Sequence, residues 1–198
     1  VLVVKPGQAI VGQVLDDRGA PVAGCKVGSK RKEARGAVSI ERFTPDEATT
    51  TDTGGFFTLA GLSGDAVTVR AFGEGYTSAV AQDVAIGTGD LLLRVDRLAV
   101  VEGVLQGMDG TPIAGSRVRA VPDRGSAGGE SGFVMDDIDG LPMGDGGAMA
   151  TTAADGSFRI KNVRPGTVAV AAEGKTHRPV RQGGVKVPPA QTIKGVRL

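Results

Sequence analysis

The phrase GAPVAGCKV at residues 19–27 returns as GTPIAGSRV at residues 110–118, ninety-one positions later. Gly12 and Gly103, Gly19 and Gly110, Pro21 and Pro112, Gly24 and Gly115, and Val27 and Val118 all share that offset. A second phrase, TTDTGGFFTLAGL at 50–62, aligns with TTAADGSFRIKNV at 151–163. It pairs Gly55 with Gly156, Phe57 with Phe158, Leu59 with Ile160 and Leu62 with Val163. A third, AVTVRA at 66–71, matches TVAVAA at 167–172. Three motifs in one order are a tandem duplication, and a period of about 100 is too long for a solenoid repeat. It suits two complete domains, each large enough for its own core. The repeat predicts one domain over 1–98 and a second over 99–198, with the boundary near 97–100.

Each half is written in short apolar runs that end in turn signals. Ile10 to Leu15 and Val100 to Leu105 are followed by DDRGAP and GMDGTP. In each, glycine supplies a positive-φ turn position, and proline sits where a strand can lack an N–H. Phe158 and Ile160 alternate with Arg159 and Lys161, the period of a half-buried strand. Val67 and Val69, like Val168 and Val170, keep that period. No segment carries a sustained helical stripe. The 32 glycines and 10 prolines fit an all-β chain rich in turns. Aromatic residues are only 4% of the chain, so the cores must be built from Val, Leu, Ile and Ala. Val14, Val27, Phe57, Leu59 and Val69 are expected in one core. Leu105, Val118, Phe158, Ile160 and Val170 are expected in the other. The pattern reads as two consecutive antiparallel β-sandwiches.

The order G-x-V, then G-x-P-[VI]-A-G-x-x-V, then T-T-x-x-x-G-x-F-x-[LI], then a V-x-V strand resembles the carboxypeptidase regulatory-like domain. The resemblance covers nearly the whole chain, once per half. It implies a transthyretin-like, Ig-like sandwich of seven strands in each half. It also implies an accessory module of peptidases, outer-membrane receptors or bacterial surface proteins, with no catalytic residues to carry over. The family's G-Y is kept as Gly75-Tyr76, whereas the second half has Thr176-His177 at the matching positions.

The charge balance points to no polyanionic partner. With 23 basic and 22 acidic residues the net charge is +1, so neither nucleic acid nor an anionic membrane is implied. No apolar run is long enough to span a bilayer. The opening VLVVKPGQ lacks the basic stretch and long apolar stretch of a signal peptide and reads as a strand already in progress. The chain is therefore expected to be a fragment of a longer protein. Cys25 is the single cysteine and its counterpart is Ser116, so it reads as a small apolar strand residue. His177 is the single histidine and reads as a surface or packing residue. A Ser–His or Cys–His pair would need Cys25 or a serine beside it and a third, orienting group. No zinc ligand set is available from one Cys and one His. GTGD at 87–90 and GDGG at 144–147 lack the spacing of a phosphate loop. An internal Lys–Asn cross-link, which related surface sandwiches sometimes carry, has one candidate asparagine, Asn162; a Lys–Asp version is the alternative.

Two inserts between the repeated motifs differ most. One, KVGSKRKEAR at 26–35, is basic. The other, 122–149, is acidic through Asp123, Glu130, Asp136, Asp137, Asp139 and Asp145. Both read first as solvated loops. As candidate partner-binding residues they offer Lys30, Arg31 and Lys32 against Asp136, Asp137 and Asp139. Asp137 and Asp139 beside Gly140, with Asp145, are also a calcium candidate, because oxygen ligands two apart at a turn glycine suit that ion. No cofactor is otherwise implied.

The function expected is a non-catalytic tandem module, a structural spacer or protein-interaction segment of an extracytoplasmic bacterial protein, in the periplasm, outer membrane or cell surface. Its partner would be a protein or another domain of the parent chain. Alternatives are a carbohydrate-binding module, for which few aromatic platforms exist, and an accessory domain of an enzyme outside the fragment. The link VDRLAVVEG at 95–103 has no Gly/Ser/Pro run, which predicts a short, stiff connection and an elongated pair.

Overall fold

A computed structural model describes residues 8–30, 48–123, 148–175 and 177–198, and these contain strands and turns with no helix. The chain divides into two compact units, Val1–Asp96 and Arg97–Leu198. Among the described residues of the first, seven strands run β1 Gln8–Leu15, β2 Lys26–Lys30, β3 Thr49–Thr50, β4 Phe56–Leu62, β5 Ala66–Phe72, β6 Ala79–Ala85 and β7 Leu91–Arg94. They form a three-stranded sheet β4-β1-β7 and a four-stranded sheet β3-β2-β5-β6. The second unit repeats the plan with β8 Ala99–Val104, β9 Arg117–Pro122, β10 Ala148–Thr151, β11 Ser157–Val163, β12 Gly166–Glu173, β13 Val180–Val187 and β14 Thr192–Arg197. Its sheets are β11-β8-β14 and β10-β9-β12-β13.

Pairing is antiparallel except at one place in each unit: β7 lies parallel to β1, and β14 parallel to β8. The chain leaves the four-stranded sheet after β6 or β13 and crosses to the other sheet. It joins the side of the opening strand left free by β4 or β11. A crossover of that kind delivers the closing strand in the same direction as the opening one.

Alternation places the cores. Strand β4 reads exposed, buried, exposed, buried through Phe56, Phe57, Thr58 and Leu59, and β11 alternates likewise from a half-buried Ser157 to Ile160. Ile10, Val14, Val27, Phe57, Leu59 and Val69 pack in one core. Val101, Leu105, Val118, Phe158, Ile160 and Val170 pack in the other. Cys25 belongs to the first core and is fully buried, one residue ahead of β2; burial pushes its thiol pKa up.

The repeated glycine of the opening strand has a steric cause. A Cβ on Gly12 would run into the carbonyl oxygen of Leu91 on β7 and stand 2.6 Å from the Phe57 ring. A Cβ on Gly103 would meet the carbonyl of Val196 on β14 and stand 2.5 Å from the Phe158 ring. The glycine, the aromatic ring and the closing strand therefore form one packing unit, written twice. The glycine of the second motif is needed for its conformation. Gly55 has φ +73°, and so does Gly156. This is the left-handed region, and a Cβ there would also press on the carbonyl of Val14 or Leu105.

Candidate functional site

The most regular polar apparatus in each unit is a clamp under the first repeated phrase. Thr51 is buried; its Oγ1 accepts the Cys25 N–H at 2.9 Å and donates to the Val22 carbonyl at 2.7 Å. Its main chain bonds Gly24 and Cys25 as well, at 3.0 and 2.9 Å. In the second unit Thr152 is buried, accepts the Ser116 N–H at 2.9 Å, and bonds Gly115 and Ser116 through its main chain. The second threonine of each T-T pair thus ties the G-x-P phrase to its sheet. This is a folding device. The repeated T-T was its signal in the sequence, but nothing local says which threonine is buried.

Where the two halves depart from each other, a pair appears that the sequence kept apart. Ser116 Oγ lies 2.9 Å from His177 Nε2, and His177 Nδ1 lies 2.7 Å from the carbonyl oxygen of Arg178. A carbonyl only accepts, so Nδ1 is the donor to Arg178, and Nε2 faces the serine hydroxyl. Serine, imidazole and orienting carbonyl have the connectivity of a nucleophile and its base. An open groove of about 500 Å³ lies alongside, with Arg117, Thr151, Glu173 and Lys175 among its lining residues. The hydroxyl is nevertheless buried at the groove wall. Ser116 is 1% exposed, and a Cβ on Gly174 would stand 2.8 Å from its Oγ and 2.7 Å from His177 Nε2.

The first unit explains the arrangement. There Gly73 covers Cys25 in the same way, its Cβ falling 2.7 Å from Sγ, and Tyr76 packs half-buried against the core. Ser116 and His177 are the polar counterpart of Cys25 and Tyr76. In the second half the two departures are in contact with each other. His177 sits at a bend between β12 and β13, its ring bonded to the adjacent main chain.

The candidate interaction residues are only partly within the described structure. Lys30 ends β2, half-buried and opposite Thr68. Arg31, Lys32, Asp136, Asp137, Asp139 and Asp145 lie outside the described residues. Of the acidic insert, Asp123 is described, and its role is local. Oδ1 accepts from Arg181 at 2.7 Å and Oδ2 from the Gly184 N–H at 2.6 Å, fixing β13 to the end of β9. Asn162 is exposed at φ +59° on β11, and no lysine or asparagine is buried among the described residues. The cores described here therefore hold no partners for the cross-link considered above. Among the described residues no group of three or more His, Cys, Asp or Glu could hold a metal ion. No helix among them is long and apolar enough to cross a membrane.

The outer faces of the two three-stranded sheets differ. In the first unit Gln13 stands across from both Phe56 and Leu92, and Val11 across from Thr58. Phe56, Leu92 and Val11 are 53%, 45% and 38% exposed. In the second unit the corresponding row is Ser157, Val104 and Arg197, and Arg159 stands across from Glu102. That last pair is an ion pair at 2.7 Å. The contrast is one of degree: the first face groups exposed apolar residues with Arg94 at its end, across from Leu15, and the second carries the Arg159–Glu102 ion pair.

No family model matches the chain, and no curated protein does. Solved structures do. The minor pilin GBS52 of Streptococcus agalactiae is 13% identical over 96% of this chain and 94% of its own, with a TM-score of 0.45. A streptococcal ancillary pilin is 15% identical over 97% of this chain and 62% of its own, at 0.43. The Bacillus anthracis TIE protein is 12% identical over 98% of this chain and 34% of its own, at 0.35. The chain thus spans about a third of the Bacillus protein and under two thirds of the ancillary pilin. At these identities and TM-scores the likeness goes no further than the all-β architecture already described.

Proposed function

We propose that the chain is a non-catalytic tandem module of the carboxypeptidase regulatory-like type, with domains 1–98 and 99–198. It acts as a spacer or protein-interaction segment in a larger extracytoplasmic bacterial protein. The observation that carries this reading is where the repeated residues go. Gly12 and Gly103, Gly55 and Gly156, and Phe57 and Phe158 make matching contacts in both units, Thr51 and Thr152 accept the same backbone N–H, and these shared contacts build the fold. Apart from the buried exchange of Cys25 for Ser116, the differences between the units fall on sheet faces and in the sequences of the inserts, as in a scaffold whose surfaces carry its recognition.

The inserts supply the first recognition surface in this reading, one opening basic and the other acidic. Opposite charges steer association, and salt weakens it, because exposed charges are screened beyond about 8–10 Å at ordinary ionic strength. The test uses two triple variants: Lys30, Arg31 and Lys32 to Ser, and Asp136, Asp137 and Asp139 to Ser. Both should fold normally, since surface changes typically stay within about 0.5 kcal/mol each. Pull-down from an extracellular extract at low and high salt should lose partners in at least one variant. Capture that is identical in both variants and at both salt concentrations refutes the insert reading.

A further inference from the structure

We propose that Thr77 latches the joint between the two units, so that the turning freedom of the joint is confined to one residue, Arg97. This deepens the spacer reading, on which it rests, by naming the residues that stiffen the spacer. Asp96 is the last residue of the first unit, and both of its main-chain groups go to Thr77. Thr77 N–H donates to the Asp96 carbonyl at 2.8 Å, and Asp96 N–H donates to Thr77 Oγ1 at 2.9 Å. One residue earlier, Val95 N–H donates to the Leu15 carbonyl at 2.9 Å, and Val95 belongs to the first core. The chain is therefore held by the first unit up to that unit's final residue.

The second unit takes hold at the next residue. The Arg97 carbonyl accepts the Ala190 N–H at 3.1 Å. Val100 N–H then donates to the Gln191 carbonyl at 2.9 Å, and Ala99, 1% exposed, lies in the second core. A flexible linker gains its reach from a run of residues whose φ and ψ are all free. Here the held Asp96 carbonyl fixes the planar peptide that follows it, and the held Arg97 carbonyl fixes the next one. The soft angles left between those two peptides are the φ and ψ of Arg97.

The latch is not part of the plan the two sandwiches share. The alignment that matches Tyr76 with His177 matches Thr77 with Arg178, which has no hydroxyl. There the Arg178 carbonyl serves His177 Nδ1 instead. The threonine clamp of Thr51 and Thr152 builds both units, whereas the Thr77 latch occurs in the unit whose last residue leads into the other. Threonine suits that part. Its branched Cβ restricts χ1, so Oγ1 stays directed at the Asp96 amide with little freedom left to lose. A bond that the second sandwich does without, placed on the exit of the first, serves the joint and not the fold.

The test is nuclear magnetic resonance on the full chain, reading residual dipolar couplings of both units and hydrogen exchange at the Asp96 amide. In the parent a single alignment tensor should fit the couplings of the two units. Thr77→Val keeps the shape and removes the hydroxyl. It should speed exchange at the Asp96 amide about tenfold or more and give the units distinct tensors. Thr77→Ser keeps the hydroxyl and should stay close to the parent. Insertion of Gly-Ser-Gly-Ser between Asp96 and Arg97 leaves both anchors in place and adds slack. It should separate the tensors while the Asp96 amide stays slow. A parent whose units need separate tensors overturns the latched joint and leaves the tandem-module reading, which the insert variants test, intact. A Thr77→Val protein with parental Asp96 exchange and one shared tensor also overturns it, and so does a Thr77→Ser protein no better than the valine variant.

Discussion

Thr51→Val isolates the clamp beneath the first repeated phrase. Valine matches threonine in shape, so the core keeps its packing and the hydroxyl alone is lost. Two groups lose their partner: the Cys25 N–H, 2.9 Å from Oγ1, and the Val22 carbonyl at 2.7 Å. Thr51 is 5% exposed and Cys25 and Val22 are 0% and 3%, so water cannot readily replace the hydroxyl. A stranded buried donor or acceptor costs about 1–3 kcal/mol, and two sharing one site should together cost about 2–4 kcal/mol. For a unit of this size each kcal/mol lowers the melting temperature by about 4–8 °C, so a fall of about 8–30 °C is expected. Calorimetry on the parent, Thr51→Val and Thr51→Ser measures it. Serine keeps the oxygen and should recover most of the loss, minus the methyl packing. A Thr51→Val protein that melts within about 1 °C of the parent would refute the assignment of the hydroxyl as a clamp. So would a Thr51→Ser protein no better than the valine variant.

Phe158→Ala removes a ring that is 4% exposed and packed on Gly103, and should destabilise by about 3–5 kcal/mol; an unchanged urea midpoint would contradict that packing. Acid should weaken the second unit through its turns. Hydrogen bonds from Thr111 hold the Asp109 carboxyl below its ordinary pKa, and hydrogen bonds from Ser157 do the same for Asp155. A depressed folded pKa contributes stability above the unfolded value, near about 3.9, that fades as pH falls through the folded value. Asp109→Asn with Asp155→Asn should therefore flatten the loss of stability below about pH 4, followed by denaturant melts from pH 6 to 2. A parallel pH dependence in parent and variant would show that these turns contribute nothing to it.

The sequence by itself determined the strands, the turns and the duplication. Alternation along Phe158 to Lys161 is a local pattern, which the repeat carries over to Phe57 and Leu59, and so is glycine at a turn that requires positive φ. Such features show because each residue's neighbours in the chain are the neighbours that matter. The core membership of Phe57, Leu59, Phe158 and Ile160 followed from the same period. The tertiary structure decided what depends on residues far apart in sequence. Gly12 looks like any strand glycine until β7 and the Phe57 ring close over it. The parallel placement of β7 and β14 follows from a crossover between sheets, which no strand pattern encodes.

Ser116 and His177 stand 61 residues apart and read as unrelated departures until the fold brings them to 2.9 Å. Thr77 and Asp96 stand 19 residues apart, and no pattern along the chain joins them. Their bonds exist because the fold sets the connection between β5 and β6 beside the end of the first unit, and a hydrogen bond depends on that placement, not on local sequence.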